Sequence, residues 1–550
     1  MTISVEKPIA HSATPLPVAR PRARKKRVHT GALVRTLGGW LFLVLLWEFV
    51  ARVPLAGLHL IAAPSAIVIN IGENAELYLR AFGITGTSAL LGYLVGNSVA
   101  VALAVFVAML PRSERIVLRM ALVVYCLPLI ALGPLLRLVF GLGEGPQITL
   151  AAIAVYYMTL VPLLVGLRAV PASWLDLVAS YGRGRATSLF VVRFRACIPY
   201  LVSGLQVAVP AAFLGALVGE FTGAASGVGV LSIQALRGLD TDSLWALSAL
   251  SAAVSVAAYT FVGWLGRRLT PEQPPIIMAA PANRGSGTGW RRQVRGFLEG
   301  AVVFVLSLAL WVGFVRFFGL NPYFAKGPAD VWEYLVTSAS APLNRTEIFD
   351  ALATTAAVAI PGYFAGLILG VLVAATFDLA PSVRRTMTPV TLALRCVPIV
   401  AIAPLLVQML GRGAVGMTVI VALMTFFPTL VACMTGLRQT PGQVIDVFDT
   451  YATSSVRTLV LARVPAMMPA FFSAARIAAP SAILAATVAE WLATGTGIGN
   501  LLAVTAATSR YDALWSTTVI LTIVAVLVYW LIELVERAVL KVVAPEQALW

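Results

Sequence analysis

The chain has 550 residues, 59% of them hydrophobic and 12% charged, with a mean hydropathy of +0.89. Soluble domains carry about 25% charged residues, so half that share excludes a cytosolic globular protein, and recurring apolar runs of roughly 18 residues or more mark an integral membrane protein. A net charge of +16 would suggest nucleic-acid binding in a soluble chain, but here the basic residues sit at the ends of the apolar runs, where they set topology, and no nucleic-acid partner is expected.

The polar, Pro-rich stretch 1–30 comes first and holds the densest basic cluster, "RPRARKKR" from Arg20 to Arg27. A basic block ahead of a first span reads as a cytoplasmic anchor, with membrane lipid as a compatible partner. No cleavable signal peptide is expected. Twelve spans follow, near 34–54, 84–110, 116–140, 147–169, 201–222 and 243–266, then 296–318, 353–376, 386–410, 414–436, 471–493 and 513–536. With the amino terminus inside, "PRSERIVLR" from Pro111, "RGRATSLFVVRFR" from Arg183, "WRRQVR" from Trp290 and "SVRR" from Ser382 all fall on the cytoplasmic side. Both termini are then cytoplasmic, and the protein is expected to be multi-pass in the plasma (inner) membrane. The stretch 267–295, with "PEQPP" and "NRGSGTG", reads as a flexible cytoplasmic linker. It separates a first six-span unit, 31–266, from a second, 296–550.

The two units are copies. A shift of 270 residues pairs Gly92 with Gly362, Gly96 with Gly366, Pro128 with Pro398, Pro134 with Pro404, Tyr181 with Tyr451, Pro210 with Pro480, Glu220 with Glu490 and Trp245 with Trp515. Nearer the start the shift falls to 264, pairing Trp47 with Trp311 and Pro64 with Pro328, so the second copy has six extra residues in its first outer loop. Six spans per copy leave both facing the same way, a parallel repeat about an axis along the membrane normal. The glycines at 92, 96, 362 and 366 form small-xxx-small pairs that read as helix-packing surfaces, and the prolines at 128, 134, 398 and 404 break the third spans.

One segment in each copy is too polar to span. It runs "DLVASYGRGRATSLFVVRFRACIP" from Asp176 and "DVFDTYATSSVRTLVLARVPAMMP" from Asp446, each just after a proline, Pro171 or Pro441. Apolar residues recur at helical spacing: Trp174, Leu177, Val178, Tyr181, and Val444, Val447, Phe448, Tyr451. Such a short helix must press its stripe onto another protein surface, pack within the chain or lie in the lipid interface. Its duplication before a basic, proline-ended run favours docking onto a duplicated cytoplasmic partner.

This pattern resembles the EAA loop of the permease subunits of binding-protein-dependent ABC importers. The loop's acid falls on Asp176 and Asp446, and its glycine falls on Gly182 in the first copy, with Ala452 at the same place in the second. The motifs "LPLIALGPLLRLVFGLGEG" from Leu127 and "VGEFTGAASGVGVL" from Val218 are similar to the sulfonate/nitrate/taurine-type branch. The resemblance implies an all-α integral membrane fold of two fused type I importer-like units. It implies coupling to two copies of a separate cytoplasmic ATPase through Trp174, Asp176, Leu177, Val178, Tyr181, Gly182, Val444, Asp446, Val447, Phe448, Tyr451 and Ala452. It also implies an extracytoplasmic solute-binding protein and a small-molecule substrate, an anion such as sulfonate, nitrate or bicarbonate, or a vitamin precursor. The chain itself has no G-x-x-x-x-G-K-[ST] nucleotide motif, so it is expected to be non-catalytic. Four scattered cysteines and three histidines give no metal-ligand spacing, and no cofactor is expected.

Intramembrane charges are expensive and often functional. Glu220 and Glu490, near the outer ends of the fifth spans, read either as gate or binding-protein contacts or as acids bonded to the backbone of the following loop. Arg137 is a third pore candidate. A twelve-span secondary transporter driven by an ion gradient is the competing assignment; it predicts no duplicated amphipathic loop.

Overall fold

The computed structural model describes residues 41–53 without 43, 61–269 without 142, 171, 185 and 186, then 290–384, 387, and 399–543 without 494. Among these residues, the helices of the first copy are α1 (Pro64–Glu73), α2 (Ala75–Met109), α3 (Glu114–Tyr125), α4 (Leu129–Phe140), α5 (Gly145–Arg168), α6 (Ala172–Ser180), α7 (Phe194–Phe221), α8 (Val228–Gly238) and α9 (Thr241–Leu269). The second copy continues with α10 (Trp290–Phe317), α11 (Ala341–Leu379), α12 (Ile399–Leu410), α13 (Ala414–Arg438), α14 (Gly442–Thr450), α15 (Val464–Ala493), α16 (Gly497–Ala507) and α17 (Tyr511–Val543). Among the described residues nine helices are long and apolar enough to cross a membrane, or ten if a bent pair counts as one span. The expected spans 34–54 and 386–410 lie partly outside the described residues.

The bent pair is the expected span 116–140. It is not a continuous rod: α3 and α4 meet at 90°. Pro128 caps α4 with an extended ψ of 104°. A proline has no N–H for the preceding turn and pushes the residue before it out of helical geometry, so the helix ends at Tyr125 and restarts at Leu129. The fifth spans differ in the other direction. Ser188–Phe221 and Ser455–Leu492 are single helical runs of 34 and 38 residues, so the basic segments before the spans are helix, not loop. The first run starts with a π-helical turn, Ser188–Arg193, and the second has its own, Leu459–Arg463, after one α-helical turn at Ser455–Thr458.

The break lets each copy complete the other. Leu129, Ile130 and Leu136 of α4 pack with Val488, Ile498 and Leu514 of the second copy. Reciprocally, Leu405 of α12 packs with Leu236 and Leu244, while Gln408 Nε2 donates to Thr241 Oγ1 at 2.8 Å. Elsewhere α10 crosses α3, with Arg115 and Arg119 on Glu299 at 3.1 and 3.4 Å. The first span of each copy is clasped to the last by a tryptophan pair: Trp47 and Trp245 are tilted at 5.2 Å, and Trp311 and Trp515 are stacked at 5.5 Å. These are the pairs that the 264- and 270-residue shifts bring into register.

Candidate coupling helices, buried carboxylates and cavity

α6 and α14 lie at equivalent positions after α5 and α13. Along α6, Trp174 and Leu177 are exposed, and Tyr181 just beyond it is 76% exposed. Val444 and Val447 of α14 are likewise exposed, with Tyr451 at 78%. Val178 and Phe448 are half-buried, as are Leu175 and Ile445. The single expected stripe therefore splits: 175/178 and 445/448 face the bundle, and 174/177/181 and 444/447/451 face away from it. Asp176 and Asp446 are exposed. Leu175 and Ile445 were missed because a docking face and a buried face are both apolar. Their signal was the i, i+3 pairing with Val178 and Phe448.

Both helices end in the same motif. In α6, Arg183 N donates to Val178 O at 3.3 Å and Gly182 N to Ala179 O at 2.9 Å; in α14, Thr453 N donates to Phe448 O at 3.1 Å and Ala452 N to Asp449 O at 3.0 Å. This Schellman closure needs a left-handed residue. Gly182 supplies it at φ +67°, and Ala452 is held there at φ +49°, where a Cβ costs about 1–2 kcal/mol. Ala452→Gly is expected to slow hydrogen exchange across α14, and Gly182→Ala to speed it across α6, each by about 1 kcal/mol of local stability. Beyond the motif, Arg463 pairs with Asp378 at 2.6 Å, tying the start of the fifth-span run to α11. The first copy has Ala108 at the matching position.

Glu220 and Glu490 are each 1% exposed. Glu220 accepts from Thr85 Oγ1 and from Gly229 N, both at 2.6 Å, and Val228 N donates to Thr85 Oγ1 at 2.9 Å. Glu490 repeats the arrangement with Thr355 Oγ1 at 2.8 Å, Gly499 N at 2.8 Å, and Ile498 N on Thr355 Oγ1 at 2.8 Å. Each carboxylate thus caps the amino end of α8 or α16, where unpaired N–H groups and the helix dipole favour an acceptor. A side chain at Gly227 or Gly497 would overlap it, with a Cβ 2.3 or 2.2 Å from the carboxyl group. This is the backbone-bonded arrangement of the two read in the sequence. The partner threonines, Thr85 and Thr355, were not singled out beforehand, although they too are related by the 270-residue shift.

A cavity of about 210 Å³ lies between the copies. From the first copy Tyr125, Pro128, Met158, Pro210 and Tyr259 line it; from the second Met424, Phe427, Pro428, Pro480 and Ser481 do. Neither glutamate is among its lining residues, nor is Arg137. Arg137 is half-buried, with its guanidinium beside Gly223 and its Nε and Nη2 lacking a hydrogen-bond partner. Cavity lining is a long-range property that periodicity does not encode; its sequence signal was the duplicated prolines, of which Pro128, Pro210 and Pro480 line it. Among the described residues no group of histidine, cysteine or acid side chains could hold a metal ion.

The family model described as "Binding-protein-dependent transport system inner membrane component" matches the chain twice, over residues 96–271 and 366–541. A probable ABC transporter permease protein of Haemophilus influenzae is 28% identical over 226 residues, 41% of this chain and 92% of the relative. A formylaminopyrimidine transport permease protein of Halalkalibacterium halodurans is 28% identical over 37% of this chain and 78% of its own length. A putative aliphatic sulfonates transport permease protein of Bacillus subtilis is 24% identical over 41% and 83%. No solved structure gives a significant match.

Proposed function

The chain belongs to the inner membrane components of binding-protein-dependent transport systems, and from that premise we propose that its two fused units form the complete solute pathway of an ATP-driven importer. It is an all-α, multi-pass permease and a non-catalytic transport subunit. In this reading residues 1–30 are a cytoplasmic tail, 31–266 and 296–550 are the two units, 267–295 joins them, and both termini are cytoplasmic. α6 and α14 seat on two copies of a separate ATPase. Trp174, Leu177, Tyr181, Val444, Val447 and Tyr451 make the apolar contact. Asp176 and Asp446 flank it, Val178 and Phe448 fix each helix to the bundle, and Gly182 and Ala452 close it. A solute-binding protein delivers a small solute to the outer side. The relatives' names include a sulfonate and a formylaminopyrimidine, in keeping with a small anion such as sulfonate, nitrate or bicarbonate, or a vitamin precursor, as the substrate.

The observation that carries this reading is the pair of exposed apolar faces at equivalent positions, each leading into a helix that lines the cavity. α6 leads into Ser188–Phe221, whose Pro210 borders the cavity, and α14 into Ser455–Leu492, whose Pro480 does. A rigid push on either short helix is then transmitted along a long helix to the cavity wall, the geometry required of an element biasing two pore states. Glu220 and Glu490 keep the outer ends of the same two helices joined to α8 and α16, which makes them fixed points rather than gates.

The chain, its ATPase and its binding protein reconstituted in proteoliposomes are expected to take up solute only with ATP, and to continue when an ionophore collapses ion gradients. Uptake that follows a proton or sodium gradient and ignores ATP contradicts the proposal in favour of a secondary transporter. Glutamate at both Leu177 and Val447 is expected to abolish ATPase co-purification while the chain still inserts, because a charge on an apolar docking face leaves it buried and unpaired.

A further inference from the structure

We infer that the cavity between the copies is built for a flat, ring-bearing organic solute rather than a small inorganic or aliphatic anion; this rests on the cavity being the solute pathway. Its volume of about 210 Å³ falls below the roughly 300–1,000 Å³ of drug-sized sites, so it suits a single ring and its substituents. Tyr125 and Tyr259 from the first copy and Phe427 from the second line it, with Tyr125 backed by Tyr157 in a stacked pair at 4.6 Å, and a planar ring stacks or packs edge-on against such side chains. Met158 and Met424 add polarisable thioethers that adapt to a ring.

Among the described residues the polar groups on these walls are sparse, and the hydroxyls of Tyr125 and Ser481 are already engaged. Tyr125 OH donates to Ile477 O at 3.3 Å and lies 3.4 Å from Ser481 Oγ, and Ser481 Oγ donates to Ile477 O at 3.2 Å. Arg476, next to the lining residue Ile477, is paired with Glu536 at 3.1 Å, and the two are 3% and 5% exposed, so they bring no net charge. A small, strongly hydrated anion entering here exchanges its water for apolar walls and few donors, which is unfavourable. A ring keeps its polar substituents at the few hydroxyls and gives its faces to the aromatic and thioether walls. Three lining prolines, Pro210, Pro428 and Pro480, also lie inside helices, where each lacks the N–H that would bond the carbonyl four residues earlier.

The test is photolabelling of the full chain, co-purified with its ATPase, by two diazirine-bearing probes, a neutral aminopyrimidine and a pyrimidine carboxylate. Both charges are used because the repeat pairs Tyr125 with Arg395, which lies outside the described residues. With at least one probe, label is expected on the peptides around Tyr125–Leu129 and Ile477–Leu484. It is expected to be lost on adding the unlabelled ring and retained with the same concentration of methanesulfonate. Leu484→Trp, which fills the cavity, is expected to lose the label while still capturing the ATPase, and Phe427→Leu to weaken it. Label displaced by methanesulfonate, label confined to other peptides, or ATPase capture with no label from either probe overturns the inference and leaves the importer reading standing. Loss of ATPase capture by the unsubstituted chain would instead overturn that reading.

Discussion

Glu490→Ala is expected to lower the stability of the folded chain by about 3 kcal/mol, and Glu220→Ala by a similar amount. Truncation removes the acceptor of Gly499 N and of Thr355 Oγ1 in a site that is 1% exposed. A buried N–H left without a partner costs about 1–3 kcal/mol, and the space left by the carboxylate adds a packing loss. Water cannot easily repair the site, because Gly497 and Gly499 press directly on the side chain. Glu490→Gln keeps one acceptor and is expected to recover part of the loss. The check is denaturant unfolding in detergent, with the midpoints ordered wild type, glutamine, alanine. If alanine were as stable as glutamine, the capping account would fail.

Gly366→Leu and Gly96→Leu are expected to prevent folding altogether, an effect above about 4 kcal/mol. A Cβ at Gly366 would lie 1.9 Å from Thr425 Oγ1 and 2.4 Å from Ala422 O; at Gly96 it would lie 2.6 Å from Ala152 O and 3.0 Å from Ala152 Cα. The hydroxyl of Thr425 can turn away, but the backbone of Ala422 and Ala152 cannot. The only relief is to separate α11 from α13, or α2 from α5, which forfeits van der Waals contact along some of the most extensively packed pairs in the chain. Between apolar helices in lipid that contact is the main attraction. Gly83, with nothing within 4 Å of a built Cβ, is the control: leucine there should leave a single sharp peak in size-exclusion chromatography, whereas the other two should aggregate.

These cases show which parts of the molecule could be read in advance. The glycines at 92, 96, 362 and 366 were legible as packing surfaces because close helix approach demands small residues wherever it happens. The short helices at Ala172–Ser180 and Gly442–Thr450 were legible because an amphipathic stretch between membrane spans stands out by composition. The 90° turn at Cys126–Pro128 was foreseen as a proline break, but its consequence was not. Hydrophobicity does not say which apolar surface a helix meets, so the crossing of α4 onto Val488 and Leu514 was hidden. The same limit hid the threonines that complete the carboxylate sites and the aromatic residues that meet at the cavity from opposite copies.

Transport by the proposed mechanism requires that α6 and α14 be held by the ATPase. A photocrosslinking amino acid placed at Leu177, and separately at Val447, in chain reconstituted with ATPase and lipid tests this directly. Both positions should give a chain–ATPase adduct that disappears when the ATPase is left out. Adducts only with lipid, or only with the chain's own spans, at both positions and with ATPase present would contradict the account.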